Sequence, residues 1–239
     1  MTIPIKIISK KNFSGKPSQR VVWDLISKPW KTYVVKKIPV VEKFLINKKG
    51  VVLDLGCGTG RNMFSFDSLE FVGVDFSKGQ LKHAEHFIDK FKINAKLIHS
   101  CVEDLSFLND SSFDYGLFIS TLHCIESHNS RVKALCEFFR VLKPGSTALI
   151  SVWDSCDKRF DSVRSDKDIY MSWREDNKSY MRYYYLFDRQ ELIDLLKSVG
   201  FKILKVYKPK FHDRFTKKNL IIKITKSFGF QPTLKSVGL

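Results

Sequence analysis

Three glycines follow directly after a run of apolar residues, in the segment 54–60, which reads Asp-Leu-Gly-Cys-Gly-Thr-Gly. Glycine lets the backbone turn sharply and approach a ligand closely, and exposed N–H groups at a helix N-terminus can then face that ligand. A second acid, Asp75, ends the next apolar run. A carboxylate there can accept hydrogen bonds from both ribose hydroxyls of a nucleoside. The pattern therefore predicts a nucleotide-binding loop.

Two details of this loop favour one class of nucleotide. The spacing is acid-x-G-x-G-x-G, whereas loops that bind dinucleotides carry G-x-G-x-x-G. Asp54 would repel a pyrophosphate, but its carboxylate suits the ammonium group of a methionine moiety. We therefore expect S-adenosylmethionine as the cofactor, with Asp54 and Asp75 among the residues that hold it.

Apolar runs alternate with helical segments along the chain. The predicted strands lie at 51–55, 71–75, 96–99, 113–120, 147–153, 201–207 and 220–225, and the predicted helices at 78–90, 129–142 and 188–199. We also expect a helix directly after the glycine loop. The alternation is typical of right-handed βαβ units. It predicts an α/β, Rossmann-like fold: a mostly parallel seven-stranded sheet with an antiparallel edge strand and helices on both faces.

The remaining segments predict one domain with less regular ends. Residues 1–20 are basic and irregular, which predicts a flexible arm, and residues 227–239 read as a tail. The domain itself spans 21–226. It opens with a helix at 21–36 that Lys28-Pro29 interrupts, and a short helix follows from Pro39. A turn is expected at 143–145. The charged stretch 154–181 has little periodicity and predicts a surface insertion.

The composition bears on the cellular location of the protein and on its binding partners. Lys and Arg outnumber Asp and Glu by 41 to 25, a net charge of +16. RNA, an acidic lipid surface, or merely a lysine-rich proteome would each account for that excess. The five cysteines form no C-x-x-C pair, which argues against a disulfide framework and a zinc site. With no membrane-length apolar run and no signal-peptide pattern, we expect a cytoplasmic protein without a metal.

Several stretches resemble the class I methyltransferases, which use this cofactor. Phe-Asp-Tyr-Gly at 113–116 is similar to the start of the family's fourth strand, and Leu-Lys-Pro-Gly at 142–145 to its turn before the fifth. Cys101 stands where the family usually carries an acid for the adenine amino group, so the resemblance implies adenine contacts near Val102 or Glu103. The implied cofactor site consists of Asp54, Gly56, Cys57, Gly58, Gly60, Asp75, Phe76, Cys101, Val102 and Ser120.

Three further stretches are similar to one family, the tRNA wobble-uridine carboxymethyl methyltransferases. The first is the entry segment 23–30, Trp-Asp-Leu-Ile-Ser-Lys-Pro-Trp. The second is Leu-His-Cys at 122–124 with Arg-Val-Lys-Ala-Leu at 131–135. The third pairs Ala-Leu-Ile-Ser-Val-Trp at 148–153 with Arg-Tyr-Tyr-Tyr-Leu-Phe at 182–187. This resemblance covers about residues 21–225.

The resemblance implies methyl transfer to the carboxylate of carboxymethyl-uridine in tRNA, which gives a methyl ester. A carboxylate is ionised at neutral pH, so the enzyme needs no general base and has to align oxygen, methyl carbon and sulfur. The planar fork of arginine suits a carboxylate. We expect the acceptor site to contain His123, Arg131, Trp153, Arg182, Tyr183 and Tyr184. Besides tRNA, the family implies a small zinc-binding activator protein as a partner.

Two other functions stay open on the residues alone. Small-molecule methyltransferases share this fold, and a closed apolar pocket without a basic rim would favour that class. A catalytically silent relative that binds RNA or acts as a scaffold is the second. Asp54, Gly56, Gly58 and Asp75 are all intact, and this argues against the silent relative.

Overall fold

The computed structural model describes residues 5–33, 36–163, 165–175, 178–208 and 214–230. The strands are β1 (Ile7–Ser9), β2 (Gly50–Leu55), β3 (Leu69–Asp75), β4 (Ala95–His99), β5 (Phe113–Ile119), β6 (Leu142–Trp153), β7 (Asp168–Glu175), β8 (Lys178–Tyr185), β9 (Phe201–Val206) and β10 (Asn219–Lys226). The α-helices are α1 (Gln19–Leu25), α2 (Ser27–Tyr33), α3 (Pro39–Leu45), α4 (Lys78–Phe91), α5 (His128–Val141), α6 (Arg189–Ser198) and α7 (Arg214–Lys218). The predicted tail lies outside the described residues from 231 onward.

The main sheet has the strand order β4-β3-β2-β5-β6-β10-β9. Strands β2 to β6 pair in parallel, whereas β10 runs antiparallel to both β6 and β9. The predicted mostly parallel seven-stranded sheet with an antiparallel pair at its edge is therefore confirmed, with β9 outermost and β10 second. None of the described helices is both long and apolar enough to cross a membrane.

Both faces of the sheet are buried, because strands β2 to β6 and β10 send side chains into two hydrophobic clusters. Leu53 packs into one cluster with residues of α5 and α6, such as Phe138 and Leu192. Its neighbour Val52 packs into the other with Phe44 of α3. Continuous apolar runs such as 51–55 arise from this two-sided burial, which is why they predict the parallel strands correctly.

The prediction of a helix directly after the glycine loop is wrong. Residues 56–68 form turns and bends instead. Met63 and Phe64 point into the core here and are almost completely buried, so this short connection to β3 is held by packing rather than by helical hydrogen bonds. The turn predicted at 143–145 lies inside a strand instead of before one, because β6 already begins at Leu142. Gly145, with a φ of +76°, marks an irregular point within β6.

A second, three-stranded sheet is built from two segments whose sequence predicts no regular structure. Its order is β1-β7-β8, with antiparallel pairing throughout. Residues 7–9 therefore form a strand within the expected flexible arm. The expected surface insertion contributes β7 and the start of β8, which bury Ile169 and Met171. Local periodicity does not predict this sheet, because β1 pairs with a strand far along the chain. Next to this pairing, the Lys6 N–H donates to Ser172 Oγ (2.8 Å).

Candidate active site

The glycine loop sits at the carboxyl end of β2 and has the backbone conformation that its sequence predicts. Gly56, Gly58 and Gly60 have φ values of +66°, +53° and +79°, in the left-handed region that favours glycine. A Cβ at position 56 would also overlap the side chain of Thr121. The loop can therefore close against the end of β5 only with glycine at position 56.

Asp75, at the end of β3, stabilises this loop. Its Oδ2 accepts a hydrogen bond from the Gly58 N–H (2.8 Å) and its Oδ1 one from the Ser77 N–H (2.9 Å). Burial raises the pKa of Asp75 to about 6, against these two hydrogen bonds, which lower it. Each carboxylate oxygen can accept more than one hydrogen bond, so Asp75 keeps capacity for a ligand's hydroxyl groups.

Asp54 lies behind the loop and is fully buried. Neither of its carboxylate oxygens has a hydrogen-bond partner among the described residues. Burial, and next the charge of Asp75, raise its pKa to about 8. A buried carboxylate without partners is costly, and a cationic ligand at the loop is a group that would offset that cost.

A cavity of about 330 Å³ opens above the loop. This volume is in the range of ~300–1,000 Å³ that small-molecule sites usually have. Its described lining residues are Gln19, Arg20, Trp23, Trp30, Gly56, Gly58, Asp75, Phe76, Gln80, Cys101, Val102, Glu103, Ser120, Thr121, Cys124, Ile125, Glu126 and Ser130. The predicted residues Gly56, Gly58, Asp75, Phe76, Cys101, Val102 and Ser120 therefore share one cavity, while Asp54, Cys57 and Gly60 support it from outside.

Gln80, in the first turn of α4, is a lining residue that the sequence analysis missed. It is buried, and neither its Nε2 nor its Oε1 has a hydrogen-bond partner in the described structure. Its backbone N–H donates to Ser77 Oγ, the N-cap of α4, which fixes the side chain beside the end of β3. An amide that is buried in a cavity wall with both polar atoms free is a natural contact for a polar ligand.

Helix α1 covers the cavity and is tied down at both ends. At its start, the Gln19 amide donates to the Met181 carbonyl (3.2 Å) and accepts from the Tyr183 N–H (2.9 Å) of β8. At its end, Asp24 Oδ1 accepts from Ser77 Oγ (2.6 Å) and from the Gly79 N–H (3.0 Å). These contacts fix α1 beside the cavity.

Arg20 and Trp23 are the side chains of α1 that lie between the anchors and line the cavity. Arg20 Nη2 donates to Cys101 Sγ (2.9 Å) across the cavity. The Trp23 and Trp30 rings meet edge to face, with centroids 5.0 Å apart. Helical spacing predicts a helix at 21–36 with Trp23 and Trp30 on it, whereas Arg20 falls in the segment predicted as a flexible arm.

Comparison with known protein sequences shows the family of this chain. A family described as a methyltransferase domain matches residues 52–145. A protein of Encephalitozoon cuniculi that is named as a methyltransferase is 34% identical over 175 residues, which cover 69% of this chain and 78% of that protein. The chain belongs to the S-adenosylmethionine-dependent methyltransferases. Its cofactor is S-adenosylmethionine.

Two more proteins are similar to this methyltransferase. The tRNA (carboxymethyluridine(34)-5-O)-methyltransferase of Schizosaccharomyces pombe is 28% identical over 211 residues, which cover 77% of this chain and 88% of that enzyme. The solved structure of Burkholderia thailandensis 1,6-didemethyltoxoflavin-N1-methyltransferase, with bound 1,6-didemethyltoxoflavin and S-adenosylhomocysteine, has a TM-score of 0.66 at 16% identity. That likeness covers 92% of this chain and 95% of the other, and it is a likeness of fold.

The six residues predicted for the acceptor site of the methyltransferase lie together, but none of them lines the cavity. His123, Trp153 and Tyr184 form an aromatic group, with the Trp153 centroid 5.1 Å from His123 and 4.0 Å from Tyr184. His123 Nδ1 accepts from the Trp153 N–H (3.2 Å). Burial, and next the charge of Arg159, lower the pKa of His123 to about 3, so the ring is neutral at physiological pH.

Arg131 and Tyr183 of the methyltransferase hold the segment that follows β5. Arg131 Nη1 donates to the Ile125 carbonyl (2.8 Å) and to Tyr183 Oη (3.3 Å). The Tyr183 hydroxyl has two acceptors within reach of its single hydrogen, the Glu126 carbonyl (3.0 Å) and the Asp168 carboxylate. Both side chains are buried. They act on the cavity through Ile125 and Glu126, which do line it.

The Trp30 ring lies between Arg182 and the cavity. Its guanidinium carbon lies 5.3 Å from the Trp30 ring centroid, 5.2 Å from that of Trp173 and 5.4 Å from that of Tyr184. The side chain is buried, and Nη2 donates to the Ser172 carbonyl (3.4 Å). In this structure Arg182 fixes the position of Trp30, and Trp30 forms part of the cavity wall.

Proposed function

We propose that this methyltransferase transfers a methyl group to the carboxylate of carboxymethyl-uridine at the wobble position of tRNA. The observation that carries the proposal is the similarity to the fission-yeast enzyme with that activity, over 88% of its length. The aligned 211 residues extend well beyond the matched domain at 52–145, so the similarity includes chain outside the cofactor-binding half.

The cofactor supplies an electrophilic methyl group on sulfur, and the chain has to hold it. In this proposal the Asp54 carboxylate attracts the ammonium group, because its pKa stays raised to about 8 even though the charge of Arg61 and the side chain of Asn62 lower it. Asp75 accepts from the ribose hydroxyls, and the free amide of Gln80 offers a further polar contact. Cys101 and Val102 line the cavity and are the residues proposed to contact the adenine.

The acceptor enters beneath α1 in this proposal. Among the described residues that line the cavity, Arg20 is the cationic side chain, and it is suited to hold a carboxylate while leaving one oxygen to attack. Trp23 and Trp30 offer ring surfaces against which a flipped base can stack. Because the acceptor is already ionised, orientation is the main task of the site.

The six residues, of which Trp153 is half-buried and the other five are buried, act as positioning residues in this proposal. Arg131 and Tyr183 fix the segment at 122–126, and Arg182 fixes Trp30. Trp153 and Tyr184 pack against His123, which belongs to that segment. They determine where the acceptor lies without contacting it.

The test is an ester assay on defined RNA. The protein is incubated with labelled S-adenosylmethionine and tRNA that carries carboxymethyl-uridine at the wobble position, with unmodified tRNA as the control. We expect a nucleoside heavier by one methylene in the mass spectrum, whose label is released by mild alkali as an ester requires. A label that survives alkali, or labelling of both RNAs alike, would exclude this acceptor.

Two further parts of the proposal concern the surroundings of the enzyme. We propose a small zinc-binding activator protein as a partner and the cytoplasm as the site of the reaction. The ester assay is therefore run with and without such an activator, and we expect the activator to increase the yield. Equal yield in both reactions would remove the partner from the proposal and leave the acceptor in place.

A further inference from the structure

Three lysines converge on the sheet face that α3 covers. Lys223 of β10 lies directly opposite Lys205 of β9 in the strand register, on the same face as Ile221. The Nζ atoms of Lys48 and Lys223 lie 4.9 Å and 5.9 Å from the centroid of one ring, that of Phe44. We call Lys48, Lys205 and Lys223 the lysine trio.

The lysine trio brings like charges together without compensation. Like charges directly opposite each other on neighbouring strands destabilise a sheet. No ion pair within the described ranges joins a carboxylate to any of the three. Burial, and next the charge of Lys223, lower the pKa of Lys48. An anion between these side chains would relieve the repulsion.

Aromatic rings hold two of these ammonium groups in place. Lys48 Nζ lies 4.1 Å from the centroid of Tyr115, and Lys205 Nζ lies 5.0 Å from that of Tyr207. Cation–π contact of this kind fixes a charge without neutralising it, so the charge stays available to a partner. Phe44 itself is buried, so this ring is not available to insert into a lipid surface.

We infer that the lysine trio binds the phosphodiester backbone of RNA. None of its members lines the cavity, so it forms a second contact region away from the reacting nucleotide. An enzyme that acts on one nucleotide of a large RNA can use such a region to retain the rest of the molecule. The inference rests on the proposed function, because a tRNA acceptor is what supplies the polyanion.

The experiment compares two triple variants with equal loss of charge. Lys48→Gln/Lys205→Gln/Lys223→Gln removes the trio, and Lys133→Gln/Arg189→Gln/Lys197→Gln removes three exposed charges from α5 and α6 on the other face. The dissociation constant for unmodified tRNA is measured against salt concentration by fluorescence anisotropy. Each phosphate contact contributes roughly 0.7–0.9 to the logarithmic salt slope, so we expect the trio variant to lose about 2 from it.

Stability gives the inference a second readout. Since the trio repels itself, its variant should melt at or above the temperature of the unchanged protein while binding RNA more weakly. If both triple variants lost tRNA affinity equally, the loss would depend on net charge and not on the lysine trio, and the inference would be overturned. Trio-dependent binding to anionic vesicles, with tRNA affinity unaffected, would overturn it in favour of a lipid surface.

The same samples separate this inference from the proposed function. If the unchanged protein forms no ester but its tRNA affinity depends on the trio, the proposed acceptor fails and the RNA surface stands. If the ester forms and the trio variant keeps its tRNA affinity and salt slope, the RNA surface fails and the proposed acceptor stands.

Discussion

Asp54 combines complete burial with the absence of a hydrogen-bond partner among the described residues. With a pKa of about 8, its carboxyl group is mostly protonated at neutral pH when no ligand is bound. A cationic group at the glycine loop favours the ionised form. Binding of the cofactor should therefore release a proton from Asp54, and this release can be measured.

The first prediction tests this coupling. In Asp54→Asn the affinity for S-adenosylmethionine should fall at least about tenfold, because one charge-assisted contact is worth ~1.5–3 kcal/mol. Calorimetry near pH 7 in buffers of different ionisation enthalpy should detect proton release in the unchanged protein and none in the variant. Asp67→Asn, an exposed position, is the control. Unchanged affinity in Asp54→Asn would contradict the assignment.

The same variant should change how stability depends on pH. The folded pKa of Asp54 is above the ordinary value of 3.8, so on raising the pH the unfolded chain loses its proton first. The contribution of Asp54 to stability is therefore present at low pH and declines between about pH 4 and pH 8. The melting temperature of ligand-free Asp54→Asn should exceed that of the unchanged protein increasingly over this range.

Arg182 allows a direct contact and a supporting role to be told apart. Lysine lacks the planar guanidinium that lies beside the Trp30 and Trp173 rings, and a desolvated cation–π contact is worth about 2 kcal/mol. Arg182→Lys should therefore lower the melting temperature, change the tryptophan emission and slow methyl transfer, with cofactor affinity retained. Arg174→Lys, exposed on the same hairpin, should do none of this. Full stability with transfer abolished would instead indicate contact with the acceptor.

At the scale of elements, sequence reasoning succeeded where burial is local. The run 51–55 and the glycines after it predict β2 and its loop, because burial on both faces requires apolar residues and positive φ favours glycine. The small sheet could not be predicted in this way. Ile7 pairs with Met171, and nothing in either segment encodes that distant register.

The acceptor site shows the same limit. Arg131, Arg182 and Tyr183 look functional as residue types, yet their burial follows from how the β7–β8 hairpin packs on the segment after β5. Arg20 lies in a segment that the sequence predicts as an arm, and it reaches the cavity only because Gln19 anchors α1 to β8. Contacts between distant elements decide which of these arginines lines the cavity.

Helix α1 provides the prediction at this scale. Asp24→Ala removes both hydrogen bonds from α1 to the N-terminus of α4, each worth ~1.5–3 kcal/mol when a charge is involved. We expect faster amide exchange in 19–25 and a faster dissociation rate for S-adenosylmethionine, by about tenfold or more. Glu85→Ala, an exposed carboxylate on α4, is the matched control. Unchanged dissociation with faster amide exchange would show that α1 does not retain the cofactor.

At the scale of the whole molecule, the net charge of +16 should act differently on the cofactor and on the proposed tRNA substrate. The cofactor binds in a cavity whose described walls include Asp75, Glu103 and Glu126 beside Arg20, so its interactions are short and partly shielded from salt. A tRNA is attracted over long distances by the entire surface. Such attraction is screened over ~10 Å at 0.1 M salt.

The last prediction follows from this difference. Raising the salt concentration from about 0.05 to 0.2 M should increase the KM for tRNA at least tenfold, because released counterions drive the binding of a polyanion. The KM for S-adenosylmethionine, measured in the same reactions, should change less than about twofold, since its contacts lie within a Debye length. The free protein should melt at a higher temperature in the higher salt, because screening weakens its self-repulsion. If the KM for tRNA did not respond to salt, the positive charge would reflect composition rather than recognition of RNA.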